Sequence, residues 1–298
     1  MAAENILQPK SFPSFRHRSL RFRGTPTSVL IWSAFLLVIT LCSLFADVIA
    51  PYNPNHQGNL LTERYQPPSA QHLFGTDKFS RDVFSRVLYG GRISLGIAFG
   101  VMVLSLTIGL IYGTIAGYWE GIIDSMMMRL LDFLMTFPAI FLIITIVAVF
   151  HPNHWYLVLI LSLVSWMETA RLVRAEVLSV KSRDFVLAAR GLGLTHWQVI
   201  RRHIIPNCLT PVLVAAPFKI AEVILVESTL SFLGVGVQPP VPSWGNIIEN
   251  GRQAMLHAWW IATFPGIFIA LTVMSFNAVG ERLKQLVAPE KPGLIRQV

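Results

Sequence analysis

The sequence predicts an all-α protein that crosses a membrane six times, and three observations carry this prediction. Hydrophobic residues make up 53% of the 298-residue chain, charged residues only 13%, and the mean hydropathy is +0.57. A soluble domain with so few charges would expose large apolar patches. Six apolar stretches also have about the 20 residues that a helix needs to cross a bilayer. They lie at residues 28–49, 93–116, 130–150, 155–172, 210–232 and 258–280.

The distribution of basic residues predicts that both termini are cytoplasmic. With the N-terminus inside, the cytoplasmic segments carry 16 Lys and Arg residues and the external loops carry six, and an excess of basic residues marks the cytoplasmic side. The cytoplasmic segments are 1–27, 117–129, 173–208 and 281–298, and the external loops are 50–92, 151–154 and 233–257. The net charge of +8 also favours anionic membrane lipid as a partner. The predicted organisation is an N-terminal segment 1–27, a transmembrane domain 28–287 and a tail 288–298.

The first apolar run follows five basic residues, as a secretion signal does. It is longer than the roughly 7–15 apolar residues of such a signal, and no clear A-x-A cleavage site follows. An uncleaved first helix is therefore predicted.

Two patterns around the second span predict local structure. Residues 79–92 place apolar side chains on one side and Arg and Asp elsewhere, which predicts an amphipathic helix at the interface. The Gly90–Gly91 pair is expected to turn the chain from this helix into the span. Small residues then recur at four-residue intervals: Gly96 and Gly100, followed by Gly109, Gly113 and Gly117. This spacing predicts close approach of another helix.

Charged residues within the fifth predicted span are candidate pathway residues, because charge is costly at membrane depth. Lys219 and Glu222 are three residues apart and can pair on one helix face. They either line a polar route between helices or fix helix packing. Glu227 lies near the outer end of the span, where water is expected to reach it.

The third span begins with a group of charges, Asp124, Arg129 and Asp132, which is interpreted as a salt-bridge cluster at the inner interface. Three prolines, Pro138, Pro217 and Pro265, are expected to interrupt spans three, five and six, since proline removes a helical hydrogen bond.

The cytoplasmic loop 173–208 carries the strongest local pattern. Asp184 is predicted to cap a short helix over 185–192, with Gly193 in the position where glycine ends helices. Thr195 and Gln198 predict a capping box for a second helix, which Pro206 is expected to stop. Both ends of this unit are tethered within about 20 residues of the bilayer, so docking into a DNA groove is excluded. A docking element for a cytoplasmic protein fits better, with the small Ala188–Ala189 pair allowing close approach.

This loop carries a resemblance to a known family. AARGLGLTHWQVIRRHIIP at residues 188–206 resembles the "EAA" loop of bacterial ABC-importer permeases. Leu187 stands where the family name places glutamate, and Asp184 matches the earlier acidic position of the peptide-permease branch. Three further blocks resemble the C-type subunits of dipeptide, oligopeptide and nickel permeases. They are residues 72–95, the Asp124-x4-Arg129-x2-Asp132 pattern with Pro138, and residues 227–248.

The resemblance implies a type I ABC-importer permease in a bacterial inner membrane. The implied partners are a homologous B-type permease, which completes a heterodimer, two cytoplasmic ATPases, and a periplasmic or lipid-anchored solute-binding protein. The resemblance also assigns contact with the ATPase to a set of residues in the loop: Asp184, Phe185, Ala188, Ala189, Arg190, Gly191, Gly193, Arg202 and Pro206. Its implied cargo is a small peptide, with nickel, glutathione or another small solute as alternatives.

The sequence lacks the motif that would let this chain use ATP itself. No Gly-Lys pair occurs, so a G-x-x-x-x-G-K-[ST] phosphate loop is excluded. We therefore expect no cofactor on this chain, with ATP and Mg²⁺ used by the partner subunits, and no catalytic activity. His151 and His154 alone make a poor metal ligand set, so no metal is expected. A self-powered secondary transporter remains the alternative from another class, since Glu222 and Glu227 resemble intramembrane acids.

Overall fold

The computed structural model describes residues 26–150 and 153–287, and it consists of helices packed side by side. In chain order they are α1 (Pro26–Leu44), α2 (Ala46–Ile49), α3 (Val83–Trp119), α4 (Gly121–Met135), α5 (Ala139–Phe150), α6 (His154–Lys181), α7 (Asp184–Gly191), α8 (His196–Val199), α9 (Ile205–Phe232), α10 (Trp244–Arg252) and α11 (Trp260–Val287). A π-helical stretch, Ile200–Ile204, joins α8 to α9. The all-α prediction is confirmed.

The predicted count of six spans is only partly reproduced. Within the described residues, four helices are long and apolar enough to cross a membrane: α3, α6, α11 and the continuous helix His196–Phe232. The pair α4 and α5 makes a fifth candidate, bent by 74° at the break that contains Pro138. The first predicted span is divided at Phe45 into α1 and the short α2, which leaves an apolar helix, Ser28–Leu44, shorter than the other four.

The other two predicted proline interruptions are wrong. Pro217 lies within α9 and Pro265 within α11, and both helices continue through them. Helices in a bundle tolerate proline where neighbouring groups satisfy the freed carbonyls.

The predicted amphipathic helix 79–92 is also corrected. The chain has no helix between Ala50 and Asp82, and α3 then begins at Val83, where the Asp82 carboxylate accepts a hydrogen bond from Ser85 N at 2.7 Å. Helix α3 runs through Gly90 and Gly91 without a turn. A Cβ at Gly90 would lie 3.2 Å from the Ser243 carbonyl carbon, so these glycines permit close packing.

The glycines of α3 that were predicted to allow close approach of another helix do so in only part of that helix. Gly109, Gly113 and Gly117 lie against α6, where a Cβ on Gly113 would come within 2.5 Å of Ala170 O. A Cβ on Gly100 would lie 3.1 Å from the Val158 side chain, a tight contact with a side chain and not with backbone, and Gly96 has open space around it. Helices α3 and α6 therefore pack backbone to backbone only over the second half of α3.

Helix α3 connects the two ends of the bundle. Its 37 residues correspond to about 54 Å. At one end, called here the α10 end, α10 packs against α3, α9 and α11. At the opposite end, the α7 end, Tyr118 joins a separate apolar cluster formed by residues of α6, α7, α8, the π-helical stretch and α9. The main apolar core includes the α10 end and extends along α3, α6, α9 and α11.

Candidate functional site

The first candidate site is the α7–α8 segment, residues 184–199. Gly193 follows α7 with φ +83°, and its N–H donates to Arg190 O while Leu194 N–H donates to Ala189 O. These two bonds form a Schellman motif. Thr195 then caps α8 in a complete capping box with Gln198. Both predicted turn signals are confirmed, and they join two short helices through a compact turn.

Two details of the predicted caps are wrong. Asp184 is the first residue of α7, and Arg183 occupies the cap position without a side-chain hydrogen bond. Asp184 therefore lies in the first turn, where its charge complements the helix dipole. Pro206 does not stop the second helix, because the helix that begins at His196 continues through the π-helical stretch and Pro206 to Phe232. Proline has no N–H to donate, and the π-helical stretch just before it already departs from regular α-helical hydrogen bonding.

The α7–α8 segment presents an apolar outer surface. Val186 and Ala189 are buried against the α7-end cluster, whereas Ala188 faces outward. The predicted pairing of Ala188 and Ala189 as one contact surface is therefore wrong, because adjacent helical residues point in different directions. Four large apolar side chains of the segment are also exposed: Phe185, Leu187, Leu192 and Trp197, with Leu192 82% exposed. Gly191 and Arg202 are exposed as well.

The second candidate site lies between α6 and α9. The predicted contact between Lys219 and Glu222 is present, with Nζ 2.7 Å from Oε2. Lys219 Nζ also donates to Glu168 Oε2 on α6 at 3.0 Å. The Lys219 side chain is nearly buried, at 9% exposure, but the side chains of Glu168 and Glu222 are 63% and 49% exposed. The group therefore opens toward the outside of the single chain.

The prediction that water reaches Glu227 is wrong, because its side chain is fully buried. Its carboxylate accepts hydrogen bonds from Ser94 Oγ on α3 at 2.9 Å and from Ser231 Oγ at 2.7 Å. Ser94 Oγ in turn accepts from Trp244 N at the start of α10. Glu227 thus links α3, α9 and α10 at the α10 end. Buried polar groups of this kind need their partners to avoid a desolvation penalty.

The predicted cluster of Asp124, Arg129 and Asp132 is corrected. Asp124 pairs with Arg174, with Nε 2.5 Å from Oδ1, and Asp132 pairs with Arg171. Both arginines belong to α6, so the acidic residues hold α4 against α6. Arg129 is exposed, and no ion pair joins it to either aspartate within the described residues. The partners of the two aspartates, Arg171 and Arg174, lie on another helix, and spacing within the third predicted span does not identify them.

Four functional candidates escaped the sequence prediction. Glu168, which lies within the predicted span 155–172, is a partner of Lys219. Arg171 and Arg174 follow it at i+3 and i+6, a helical repeat of charge that was a usable signal. Tyr118 was not singled out, because its partners are distant in sequence. Of the proposed histidine pair, His151 lies outside the described residues.

The family comparisons match most of this chain. The model of the binding-protein-dependent transport system inner membrane component matches residues 109–291, and that of the N-terminal transmembrane domain of oligopeptide transport permease C matches residues 28–68.

Curated relatives extend the similarity. The chain is 42% identical to a putative peptide transport system permease protein of Brucella abortus biovar 1, covering 92% of this chain and 88% of that protein. It is 36% identical to the dipeptide transport system permease protein DppC of Bacillus subtilis, with 97% and 89% covered. The oligopeptide transport system permease protein OppC of the same organism is 33% identical, with 97% and 93% covered.

A solved structure shares the fold. A chain of the MetNI methionine ABC transporter, in an inward-facing conformation, superposes with a TM-score of 0.55 at 18% identity, covering 68% of this chain and 96% of that chain. At this identity the match concerns the helical architecture alone.

Proposed function

Because the chain belongs to the family of binding-protein-dependent transport system inner membrane components, we propose that it is the permease subunit of an ATP-driven importer of small peptides. The observation that carries the proposal is the α7–α8 segment, a doubly capped helical unit with an exposed apolar surface. Peptide is the proposed cargo because relatives that are 33–42% identical to this chain are named peptide, dipeptide and oligopeptide permeases.

In this proposal the α7–α8 segment is the contact with a cytoplasmic ATPase. Exposed Phe185, Leu192 and Trp197 would be costly in water and are typical of a protein interface. The Schellman motif and the capping box keep the two helices in a fixed relation, so movement of a partner is transmitted and not absorbed. The helix then continues from His196 to Phe232, which carries the displacement into a membrane span.

The face with Lys219, Glu168 and Glu222 is proposed to border the translocation pathway or the second permease subunit. Two half-exposed carboxylates at membrane depth are strongly disfavoured against lipid. Contact with water or with a polar protein surface removes that cost. The Lys219 ammonium holds both carboxylates on this face.

The remaining parts follow from the same proposal. A homologous B-type permease completes the membrane unit, two ATPases bind ATP and Mg²⁺, and a periplasmic or lipid-anchored solute-binding protein delivers the peptide. This chain itself binds no cofactor and catalyses no reaction. The transmembrane domain spans residues 28–287 in the bacterial inner membrane, with both termini and the α7–α8 segment in the cytoplasm.

The test replaces one exposed side chain of the α7–α8 segment. Leu192→Asp should abolish co-purification of the ATPase and ATP-driven uptake of tritiated alanyl-alanine into proteoliposomes, because it places a charge in the apolar contact. Leu286→Asp is the matched control, since Leu286 is 63% exposed in the last turn of α11, outside the α7–α8 segment. ATP-independent uptake by the purified chain would contradict the proposal and support a secondary transporter.

A further inference from the structure

Side chains from three elements converge on Tyr118, one residue before the end of α3. Its hydroxyl is 2.9 Å from Nδ1 of His196, the first residue of α8. The guanidinium of Arg190, on α7, lies over the ring at 5.0 Å from its centre. Lys181, the last residue of α6, donates to Tyr118 O at 2.6 Å and pairs with Glu120 at 2.9 Å.

These contacts are made in a packed environment. Tyr118 is 3% exposed and belongs to the apolar cluster that includes Val186 of α7 and Val199 of α8. A hydrogen bond and a cation–π contact in such a site are stronger than on an exposed surface. The position of the Tyr118 ring is therefore tied to both helices of the α7–α8 segment.

The opposite end of α3 makes hydrogen bonds at the α10 end of the bundle. Ser94 Oγ donates to Glu227 and accepts from Trp244 N, and Trp244 Nε1 donates to Val87 O at 2.9 Å. One helix of about 54 Å therefore contacts the α7–α8 segment at one terminus and supports α10 at the other. The covalent chain connects the segment to α6 and α9 but not directly to α3.

We propose that Tyr118 is a positioning residue that transmits movement of the α7–α8 segment to α3, and through α3 to the α10 end. This inference rests on the proposed function, because the movement is that of the ATPase contact. Within this proposal, the hydrogen bond between the Tyr118 hydroxyl and His196 is what transmits the movement. The Tyr118 ring and its apolar packing stabilise the fold, whereas the hydroxyl determines how closely α3 follows the movement of α8.

The experiment compares two tyrosines of α3 in the complete transporter in proteoliposomes. Tyr118→Phe removes the contact with His196 but keeps the ring. Tyr112→Phe is the matched control, because the Tyr112 hydroxyl donates to Met127 O on α4 at 2.7 Å. The readout is the number of tritiated alanyl-alanine molecules imported per ATP hydrolysed. We expect this ratio to fall about fivefold in Tyr118→Phe, which is the factor that corresponds to the free energy of one hydrogen bond. In Tyr112→Phe it should fall less than twofold.

A second variant separates positioning from stability. His196→Ala changes an exposed side chain and should lower the ratio as Tyr118→Phe does, with no further loss in the double variant. If Tyr118→Phe lowers the yield of the complex, the transport ratio measured in His196→Ala is used to test the inference instead. An unchanged ratio in both single variants, or losses that add in the double variant, would overturn the role of Tyr118 but not the proposed function. A wild-type complex without ATP-driven uptake would overturn the proposed function as well.

Discussion

Lys219 is the buried member of a group whose two carboxylates are mostly exposed. Its ammonium donates to Glu222 on its own helix and to Glu168 on α6. Because each carboxylate alone can neutralise the ammonium, the two are partly redundant. Removing both would leave a nearly buried charge without a partner, which is the costly state.

This redundancy predicts a graded response to mutation. Glu222→Gln should lower the free energy of unfolding by less than about 1 kcal/mol, since Glu168 remains. Glu168→Gln combined with Glu222→Gln should lower it by about 1–3 kcal/mol. Adding Lys219→Met to the double variant should recover most of the loss. Unfolding in mixed detergent micelles measures all three, and a double variant as stable as the wild type would show that the group does not hold α6 against α9.

At the scale of the element, the backbone of the turn after α7 depends on one glycine. Gly193 has φ +83°, a conformation that costs other L-residues about 1–2 kcal/mol. Gly191, two residues earlier, is helical. Neither position would give a new Cβ a neighbour within 4 Å. The two glycines therefore differ in backbone conformation and not in available space.

Alanine at each position tests the turn. Gly193→Ala should strain the Schellman motif and speed hydrogen exchange of the Leu194 amide roughly fivefold or more, given a cost of about 1 kcal/mol. Gly191→Ala should leave exchange equal or slower, because alanine favours a helix over glycine. Hydrogen–deuterium exchange read by mass spectrometry gives both values. Equal acceleration in the two variants would mean that the backbone angle at Gly193 is unimportant.

The contact between α3 and α6 depends on the absence of side chains. Gly113→Ala would place a Cβ 2.5 Å from Ala170 O and 2.7 Å from the Val173 Cβ. The helices must separate, and we expect a loss of about 1–3 kcal/mol in the free energy of unfolding. Gly96→Ala, in the same helix but in open space, is the control and should lose nothing. Thermal unfolding in detergent compares them, and equal midpoints would exclude tight packing at Gly113.

For the whole molecule, the proposed orientation places the α7 and α10 ends on opposite sides of the membrane. Leu192 and Leu256 are 82% and 95% exposed, one at each end. In a Cys42→Ser background, with Cys208 buried, each position is replaced by cysteine. A membrane-impermeant maleimide should label Leu256→Cys in intact spheroplasts and Leu192→Cys only after permeabilisation. Labelling of Leu192→Cys from outside would reverse the proposed topology.

The positions of the predicted spans depended on local sequence, and four of the six coincide with long apolar helices, although most of their boundaries differ. The helices α3, α6, α9 and α11 cover predicted spans because apolar runs of this length must satisfy their own backbone hydrogen bonds in a bilayer. The same holds for Gly193 and the Thr195–Gln198 box, whose chemistry acts within a few residues. The all-α architecture and the turn between α7 and α8 were therefore determined by sequence alone.

Tertiary structure decided which charged and small residues meet. Glu227 reaches Ser94, Asp124 reaches Arg174 and Tyr118 reaches His196 across distances in the chain that no local pattern encodes. Gly90 and Gly91, which sequence suggested as a turn, are helical, and their lack of side chains lets Ser243 and Trp244 approach α3 closely. Hydrogen bonds within a few residues determine where helices and turns form. The partner of a buried polar or charged side chain is determined by how distant helices pack, because such a group must be paired and its partner lies far away in the sequence.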